Sequence, residues 1–188
     1  MTRLYSARKP ITHRRTGVWQ EHLTLANGRE LTLRPIQPID QEPLRAAFST
    51  LSPEQIRLRF LHPMNGLSPE YARSLTHLDP ANAFALVATE PLPPGQALIG
   101  AVARLSFDRA TGVAEFGLLV GRPLAGMGLG QYLMKKLMLW AKRQRLRVIE
   151  GDVLRENGEM LRLLDRLDFE HRNETDEPGV VRVWKNLQ

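Results

Sequence analysis

The 188-residue sequence contains no cysteine. This absence excludes disulfide bridges, thiolate metal ligands and an acyl intermediate linked to cysteine. The sequence also lacks any apolar run close to the roughly 18 residues of a membrane-spanning helix. Its first residues lack the apolar core of a secretion signal. We therefore expect a cytoplasmic protein without a membrane-spanning segment.

Histidine is scarce and scattered along the chain. The five histidines are His13, His22, His62, His77 and His171, and they show no metal-ligand spacing with one another or with carboxylates. We expect them to be surface or packing residues, and we expect no metal site.

Acidic residues are missing from residues 1–20, which carry five basic side chains. The remaining chain holds 21 basic and 20 acidic residues, so the net charge of +6 is concentrated at the N-terminus. We expect residues 1–20 to form a basic, flexible arm and residues 21–188 to form one domain with a buried core. Such an arm can contact nucleic acid or another polyanion. No nucleic-acid-binding motif accompanies it, so we expect a solvated arm.

Three glycines at alternate positions, Gly126, Gly128 and Gly130, stand between two predicted elements. Residues 113–120 form a short apolar run that predicts a buried strand, and residues 129–147 carry apolar side chains at helical spacing. Glycine lets the backbone approach a ligand closely, and the free N–H groups at a helix start favour an anion. The arrangement is typical of a phosphate-binding loop, although loops that enter helices also use glycine for purely structural turns.

Two nucleotide-binding signatures do not fit this stretch. No Gly-Lys-Ser/Thr follows, so the phosphate lysine and the magnesium ligand of a P-loop are missing. The glycine spacing of two and two also differs from the Gly-x-Gly-x-x-Gly of dinucleotide-binding proteins. A pyrophosphate that belongs to neither a nucleoside triphosphate nor NAD is the better candidate ligand.

The rest of the chain predicts a mixed sheet with helices on its faces. Alternating residues on both sides of Asn27-Gly28 indicate a hairpin with a type I′ turn. Asp40 can cap a helix that runs to about Leu51, and Ser52 and Ser68 each precede Pro-Glu in the manner of helix caps. Further strands are predicted at residues 83–89, 97–107, 148–154 and 180–184, and a further helix at about 157–167.

The segment 125–130 with its flanking strand and helix resembles the acyl-CoA motif of the GNAT superfamily of N-acyltransferases. That motif usually reads Arg/Gln-x-x-Gly-x-Gly/Ala, and Ala125 replaces its first residue. The resemblance implies an α/β fold with a central mixed, mostly antiparallel sheet and acetyl-CoA as co-substrate without a metal. It assigns the loop amides to the CoA pyrophosphate and the strand end to the pantetheine arm. The cofactor-binding residues that it implies are Leu118, Leu119, Val120, Ala125, Gly126, Met127, Gly128, Leu129, Gly130 and Asn157.

Glu115 is the only charged residue of the predicted strand at 113–120. A carboxylate in mid-sheet needs a cavity or a partner, and burial would raise its pKa towards the range of a general base. Strand alternation places Glu115, Gly117 and Leu119 on one face. The alternative is a structural ion pair with a neighbouring arginine such as Arg104.

Several stretches resemble the catalytic domain of bacterial protein-lysine acetyltransferases that inactivate acyl-CoA synthetases. They are Leu-Thr-Leu-Arg-Pro-Ile at 31–36, Leu-Ser-Pro-Glu at 51–54 followed by Leu-Arg-Phe at 58–60, Ala-Glu-Phe at 114–116, and the glycine loop. In that family the glutamate of the Ala-Glu-Phe strand is the general base and acts through water. The resemblance therefore implies this role for Glu115, and it also implies that the early helices form one wall of the acceptor site.

Two positions near the C-terminus bear on the same chemistry. GNAT proteins often place an asparagine like Asn157 against the pantetheine arm, and a helix N-cap explains this residue equally well. Leu164 stands where many members have a tyrosine that protonates the leaving thiolate. Tyr132 lies in another helix, and we do not assign it that role.

The expected activity is transfer of an acetyl group from acetyl-CoA to an amine by direct attack in a ternary complex. A protein lysine is the first-choice acceptor and a small amine the second. The alternative is a non-catalytic domain that binds acyl-CoA as a sensor or binds a partner, which Ala125 and Leu164 favour and Glu115 disfavours. The sequence does not indicate an oligomeric state.

Overall fold

A computed structural model of the protein describes residues 19–172 and 178–187. The expected basic arm falls almost entirely outside these residues. Eight strands form one sheet, and five α-helices accompany it. The strands are β1 (Glu21–Thr24), β2 (Glu30–Pro35), β3 (Ala83–Thr89), β4 (Ile99–Asp108), β5 (Val113–Val120), β6 (Val148–Leu154), β7 (Glu170–Arg172) and β8 (Val180–Asn186). The helices are α1 (Gln41–Ser49), α2 (Pro53–Phe60), α3 (Pro69–Thr76), α4 (Leu129–Arg143) and α5 (Gly158–Asp165).

The sheet has the order β1-β2-β3-β4-β5-β6-β8-β7. Every neighbouring pair is antiparallel except β5 and β6, which are parallel. This arrangement confirms the predicted mixed, mostly antiparallel sheet. None of the described helices is long and apolar enough to cross a membrane.

Two apolar cores lie on opposite faces of the sheet. One core packs α4 and α5 against side chains such as Ala103, Ala114 and Leu118. The other packs α1, α2 and α3 against side chains such as Ala85 and Val87. Strand alternation sends Ala114, Phe116, Leu118 and Val120 of β5 to the α4 face. Glu115, Gly117 and Leu119 therefore belong to the α1–α3 face.

Serine caps begin two helices as the sequence predicts. The Ser52 side chain accepts a hydrogen bond from the Gln55 backbone N–H, and the Ser68 side chain accepts one from the Tyr71 N–H. Each serine satisfies an N–H group that lacks a partner within the helix, which fixes the start of α2 and α3.

The hairpin between β1 and β2 forms, but its turn is not type I′. That turn requires positive φ at both central residues, and only Gly28 of the Asn27-Gly28 pair has one, at +80°. The Gly28 N–H donates to the Leu25 carbonyl, and the Leu25 N–H donates to the Arg29 carbonyl. The connection is therefore the longer loop that combines a type I turn with a left-handed glycine.

Asp40 does not act as the predicted helix cap. It precedes α1, but its side chain makes no capping bond to that helix. Its carboxylate instead accepts two hydrogen bonds from Arg34, both at 2.7 Å, and both side chains are buried. A buried guanidinium on β2 competes more strongly for this carboxylate than the helix N–H groups do, because a bidentate charged pair is the stronger interaction.

Several element boundaries also differ from the expectation. Helix α4 ends at Arg143 because Arg145 adopts a left-handed conformation with φ of +60°. Strand β4 begins at Ile99, two residues later than predicted. Helix α5 ends at Asp165, before the predicted end at about 167, and β8 continues to Asn186, beyond the predicted end at 184. The short strand β7 was not predicted, since its three residues are all exposed and show no apolar alternation.

Candidate active site

Strands β5 and β6 pair over only part of their length. Their parallel register runs from Val113–Val148 to Glu115–Glu150, whereas β5 stays paired with β4 as far as Val120. Beyond Glu115 the two strands separate, and the backbone groups of β5 that point away from β4 face a gap. Unpaired strand groups of this kind can bind an extended amide-containing chain as an additional strand.

A cavity of about 630 Å³ occupies this gap. Its walls come from the second half of β5, the glycine loop, helix α2 and helix α5 along its length. The structure brings most of the expected cofactor-binding residues together here. The predicted residues that line the cavity are Leu118, Leu119, Val120, Ala125, Gly126, Gly128, Gly130 and Asn157.

Two of the expected residues do not line the cavity. Leu129 is almost fully buried in the core under the sheet, and Met127 packs against the same core. Met127 lies in the glycine loop and Leu129 begins helix α4, and both side chains face the interior of the protein. Any contact that they make with a ligand in this cavity falls to the backbone.

The glycine loop combines left-handed backbone with an open helix start. Gly126 and Gly128 have φ of +73° and +76°, a conformation that other residues adopt only with strain. Gly128 is the N-cap of α4, where no side chain caps the helix and no acidic residue lies in the first turn. The first N–H groups of this 15-residue helix therefore remain available to an anion.

Gly130 is closely packed between the cavity walls. A Cβ at this position would lie 3.0 Å from Leu163 of α5 and 3.4 Å from Leu118 of β5. A side chain here would therefore require these leucine side chains to shift by a few tenths of an ångström.

Asn157 caps helix α5. Its side-chain oxygen accepts a hydrogen bond from the Met160 N–H at 3.1 Å, which confirms the N-cap alternative. Asn157 also lines the cavity, and its side-chain oxygen is engaged by the helix. The cap thus positions α5 as one wall.

Glu115 is exposed rather than buried, contrary to the expectation from its mid-sheet position. It occupies the last paired position before β5 and β6 separate, but it does not line the cavity. The alternative partner Arg104 does not form an ion pair with it among the described residues. Arg104 lies opposite Gly117 in the β4–β5 register and donates to the Leu75 carbonyl at 3.4 Å.

Arg59 of α2 lies over β5, and no sequence pattern predicted its position. A Cβ on Gly117 would collide with the Arg59 guanidinium, so the glycine makes room for this side chain. Burial lowers the pKa of Arg59, and the charge of Arg104 lowers it further, while Tyr71 and Glu115 raise it. The triplet Leu58-Arg59-Phe60 belongs to the resemblance described above, but the triplet alone does not indicate what the arginine contacts.

A second cavity of about 530 Å³ lies on the α1–α3 face of the sheet. Its lining is mostly apolar and comes from α1, the end of α2, and β3, β4 and β5. Arg59, Leu119 and Leu124 line both cavities, so the two spaces meet beside β5. Arg104 lines only the second cavity.

Leu164, which stands where many GNAT proteins have a tyrosine, does not line the first cavity. Leu164 is fully buried in the core, and the neighbouring Leu163 lines the first cavity. Tyr132 is held elsewhere, since its hydroxyl donates to the buried carboxylate of Glu21 on β1. Among the described residues that line the first cavity there is no tyrosine, serine, threonine, cysteine or histidine. The described part of the chain also contains no cluster of three or more potential metal-ligating side chains.

A family model described as an acetyltransferase (GNAT) domain matches residues 30–170. Acetyltransferase PA5475 of Pseudomonas aeruginosa is 26% identical over 163 residues, which cover 87% of this chain and 86% of that protein. The family match begins at the first residue of β2, ends at the first residue of β7 and includes the glycine loop.

Solved structures share the fold at low sequence identity. The GNAT domain of S. lividans PAT superposes with a TM-score of 0.79 at 23% identity and covers 89% of this chain and 96% of that chain. Spermidine N-acetyltransferase from Vibrio cholerae, in complex with CoA and spermine, has a TM-score of 0.66 at 18% identity and covers 84% of this chain and 95% of that chain. The fold is therefore one that is found with CoA bound.

Proposed function

Because the chain belongs to the family of GNAT-domain acetyltransferases, we propose that it transfers an acetyl group from acetyl-CoA to an amine by direct attack in a ternary complex. The first cavity carries this proposal. Its uncapped helix start suits a pyrophosphate. Its left-handed glycines allow the tight turn that leads into the helix, and its unpaired strand edge suits an arm that carries amide groups.

The cofactor roles follow from this geometry. The N–H groups at Gly128, Leu129 and Gly130 bind the pyrophosphate, where the dipole of α4 favours negative charge. Leu118, Leu119 and Val120 bind the pantetheine arm through the backbone groups that β6 leaves unpaired. Ala125 supplies no side-chain contact, and Asn157 contributes its amide nitrogen.

Glu115 is the proposed general base. Its exposed carboxylate lies at the point where the strands separate, so a proton from the acceptor ammonium can reach it through water. A backbone N–H of the unpaired half of β5 stabilises the developing oxyanion. The leaving thiolate takes its proton from water, since the described lining offers no phenol or thiol.

The acceptor is proposed to be a protein lysine. The sequence stretches shared with protein-lysine acetyltransferases support this choice, and so does the similarity in fold to the GNAT domain of a PAT. A small amine is the second candidate, favoured by the similarity in fold to a spermidine acetyltransferase. The second cavity, between α1–α3 and β5, is the proposed acceptor side.

Calorimetric titration with acetyl-CoA, with ADP as control, tests the cofactor site. We expect micromolar binding of acetyl-CoA and no binding of ADP at the same concentrations. The absence of acetyl-CoA binding at millimolar concentration would refute both catalysis and an acyl-CoA sensor.

Turnover with peptide and polyamine acceptors then tests the base. Glu115→Gln should lower turnover by about 10²-fold or more, the usual contribution of a general base, and should change acetyl-CoA affinity only a few-fold. Glu170→Gln, at an exposed position of β7, is the matched control and should leave turnover unchanged. Full activity of Glu115→Gln would refute the assignment, and acetyl-CoA binding without turnover on any acceptor would favour the sensor.

A further inference from the structure

Two guanidinium groups lie side by side on the α1–α3 face of β5. Arg104 of β4 is the cross-strand partner of Gly117, so both residues present the same face of the sheet. Gly117 has no side chain, and the Arg59 guanidinium occupies the space above it. The charges of Arg59 and Arg104 act on each other, and they repel.

The protein offers little to neutralise this pair. Among the described residues, Arg59 forms no hydrogen bond or ion pair, and its guanidinium stacks on the Phe60 ring at 4.9 Å. Arg104 donates only to the Leu75 carbonyl. Glu115 is the one carboxylate whose charge acts on Arg59, and it also acts on Arg182. Burial lowers the pKa of both Arg59 and Arg104, which shows that their surroundings disfavour the charged form.

The pair and the start of α4 lie on opposite faces of β5. Arg59 and Arg104 are on the α1–α3 face beside Gly117, whereas Gly130 packs against Leu118 on the α4 face. An anion bound by Arg59 and Arg104 is therefore distinct from a pyrophosphate at the start of α4. The pair faces instead the region where β5 and β6 separate and the two cavities meet.

We propose that Arg59 and Arg104 form a carboxylate subsite at the junction of the two cavities. The inference rests on acyl transfer from a CoA thioester to an amine, as proposed above, and changes one reactant: either the acyl group or the acceptor carries a carboxylate close to the reacting carbon or amine. Guanidinium groups bind carboxylates through paired hydrogen bonds, and the apolar walls of the second cavity accept a short aliphatic chain. The carboxylate belongs either to the acyl group of the donor or to the acceptor.

The donor arm of the test compares three thioesters by calorimetry. Succinyl-CoA and butyryl-CoA both carry four-carbon acyl groups, and only the first ends in a carboxylate, while acetyl-CoA reports binding of CoA itself. If the carboxylate belongs to the donor, succinyl-CoA should bind at least about tenfold more tightly than butyryl-CoA, as expected for hydrogen bonds to a charged group.

The acceptor arm uses protein saturated with CoA. Leucine and leucinamide share an amine and an aliphatic side chain, and only leucine carries a carboxylate. If the carboxylate belongs to the acceptor, leucine should bind at least about tenfold more tightly than leucinamide.

Two variants test whether Arg59 and Arg104 cause the preference for a carboxylate, whichever reactant carries it. Arg104→Gln removes one charge, and Gly117→Ala retains both charges but displaces the Arg59 guanidinium, which is the mobile end of a flexible side chain. Both variants should reduce the preference to less than about threefold, well below the tenfold or greater preference of the wild-type protein. Arg143→Gln, which removes an exposed guanidinium from the end of α4, should leave the preference unchanged.

Three outcomes would overturn the proposal. Equal affinities in both arms would refute the subsite while acetyl-CoA binding still supports the proposed function. An equal loss of affinity for all three thioesters in Arg104→Gln and Gly117→Ala would assign the arginines to the pantetheine arm. Failure of every thioester to bind the wild-type protein would refute the proposed function, and the subsite with it.

Discussion

The protein holds arginine side chains away from solvent in two places, fully buried in one and half-buried in the other, and the two places are built differently. Arg34 on β2 is only 2% exposed, and both of its terminal nitrogens donate to Asp40 at 2.7 Å. The carboxylate of Asp40 also accepts hydrogen bonds from the N–H groups of Gln37 and Gly95. Apart from the unpaired Nε of Arg34, this charge pair is satisfied within the protein.

Within residues 19–172 and 178–187, Arg59 and Arg104 have no comparable partner. They face cavities, they repel each other, and burial lowers the pKa of each. The comparison teaches that burial alone does not identify the role of a charge. A charge with a protein-borne partner ties elements together, in this case β2, the segment before α1 and the loop at Gly95, whereas a charge without one is positioned to bind a ligand.

The largest expected effect comes from breaking the satisfied pair. Asp40→Ala should lower the free energy of unfolding by about 3–5 kcal/mol, because it leaves the buried Arg34 without a counter-charge. Urea denaturation measures the loss. Asp165→Ala removes a half-exposed carboxylate and should lower the same free energy by less than about 1 kcal/mol. A similar small loss for Asp40→Ala would show that the pair does not stabilise the fold.

Replacing both partners by apolar residues should be less damaging than removing one. In Arg34→Met/Asp40→Leu no buried charge is left unpaired, so we expect the double variant to retain at least about 2 kcal/mol of the stability that Asp40→Ala loses. The same denaturation experiment gives both values. If the double variant is the less stable of the two, the loss in the single variant does not arise from an uncompensated charge.

The pair should also make stability depend on acidity. Burial by itself would raise the pKa of Asp40, but the hydrogen bonds from Arg34, Gln37 and Gly95 and the charge of Arg34 outweigh it, so the pKa is lowered. The stabilisation is therefore complete above the unfolded pKa of about 3.9 and is lost as the pH falls through the lower folded value. The stability difference between wild type and Asp40→Asn should be constant from pH 7 to 5 and shrink below pH 4. A difference that stays constant down to pH 2 would contradict this assignment.

The smallest effect on stability is expected at the unsatisfied pair. Arg59→Met breaks no ion pair and relieves an unfavourable burial of charge, so the free energy of unfolding should change by less than about 1 kcal/mol in either direction. Any preference for a carboxylate-bearing ligand should be lost in the same protein. A loss of several kcal/mol would show that Arg59, like Arg34, stabilises the fold through contacts within the protein.

Much of the fold could be predicted because its signals are local. The apolar runs of β3, β5 and β6 have the bounds that the sequence predicts, and the Ser-Pro-Glu starts of α2 and α3 behave as caps. The glycine loop was predicted equally well, because left-handed backbone at Gly126 and Gly128 excludes most other residues. These features depend on contacts within a few residues along the chain.

The predictions that failed involve competition with distant groups. Asp40 does not cap α1 because Arg34 on a neighbouring element binds its carboxylate. Glu115 is exposed although both neighbouring strands pair with it, because no packed element among the described residues covers its side chain. Neither outcome can be inferred from the residues adjacent to the side chain.

The sequence by itself determined the order of strands and helices apart from β7, the glycine loop and the family resemblance, because periodicity, capping and backbone angle act over short spans of chain. Only the tertiary structure decided that β5 and β6 pair at three positions before separating, that Leu163 rather than Leu164 lines the cavity, and that Arg59 lies over Gly117 beside Arg104. These contacts join residues that are far apart in sequence, and their geometry follows from how helices and strands pack, which no local pattern encodes.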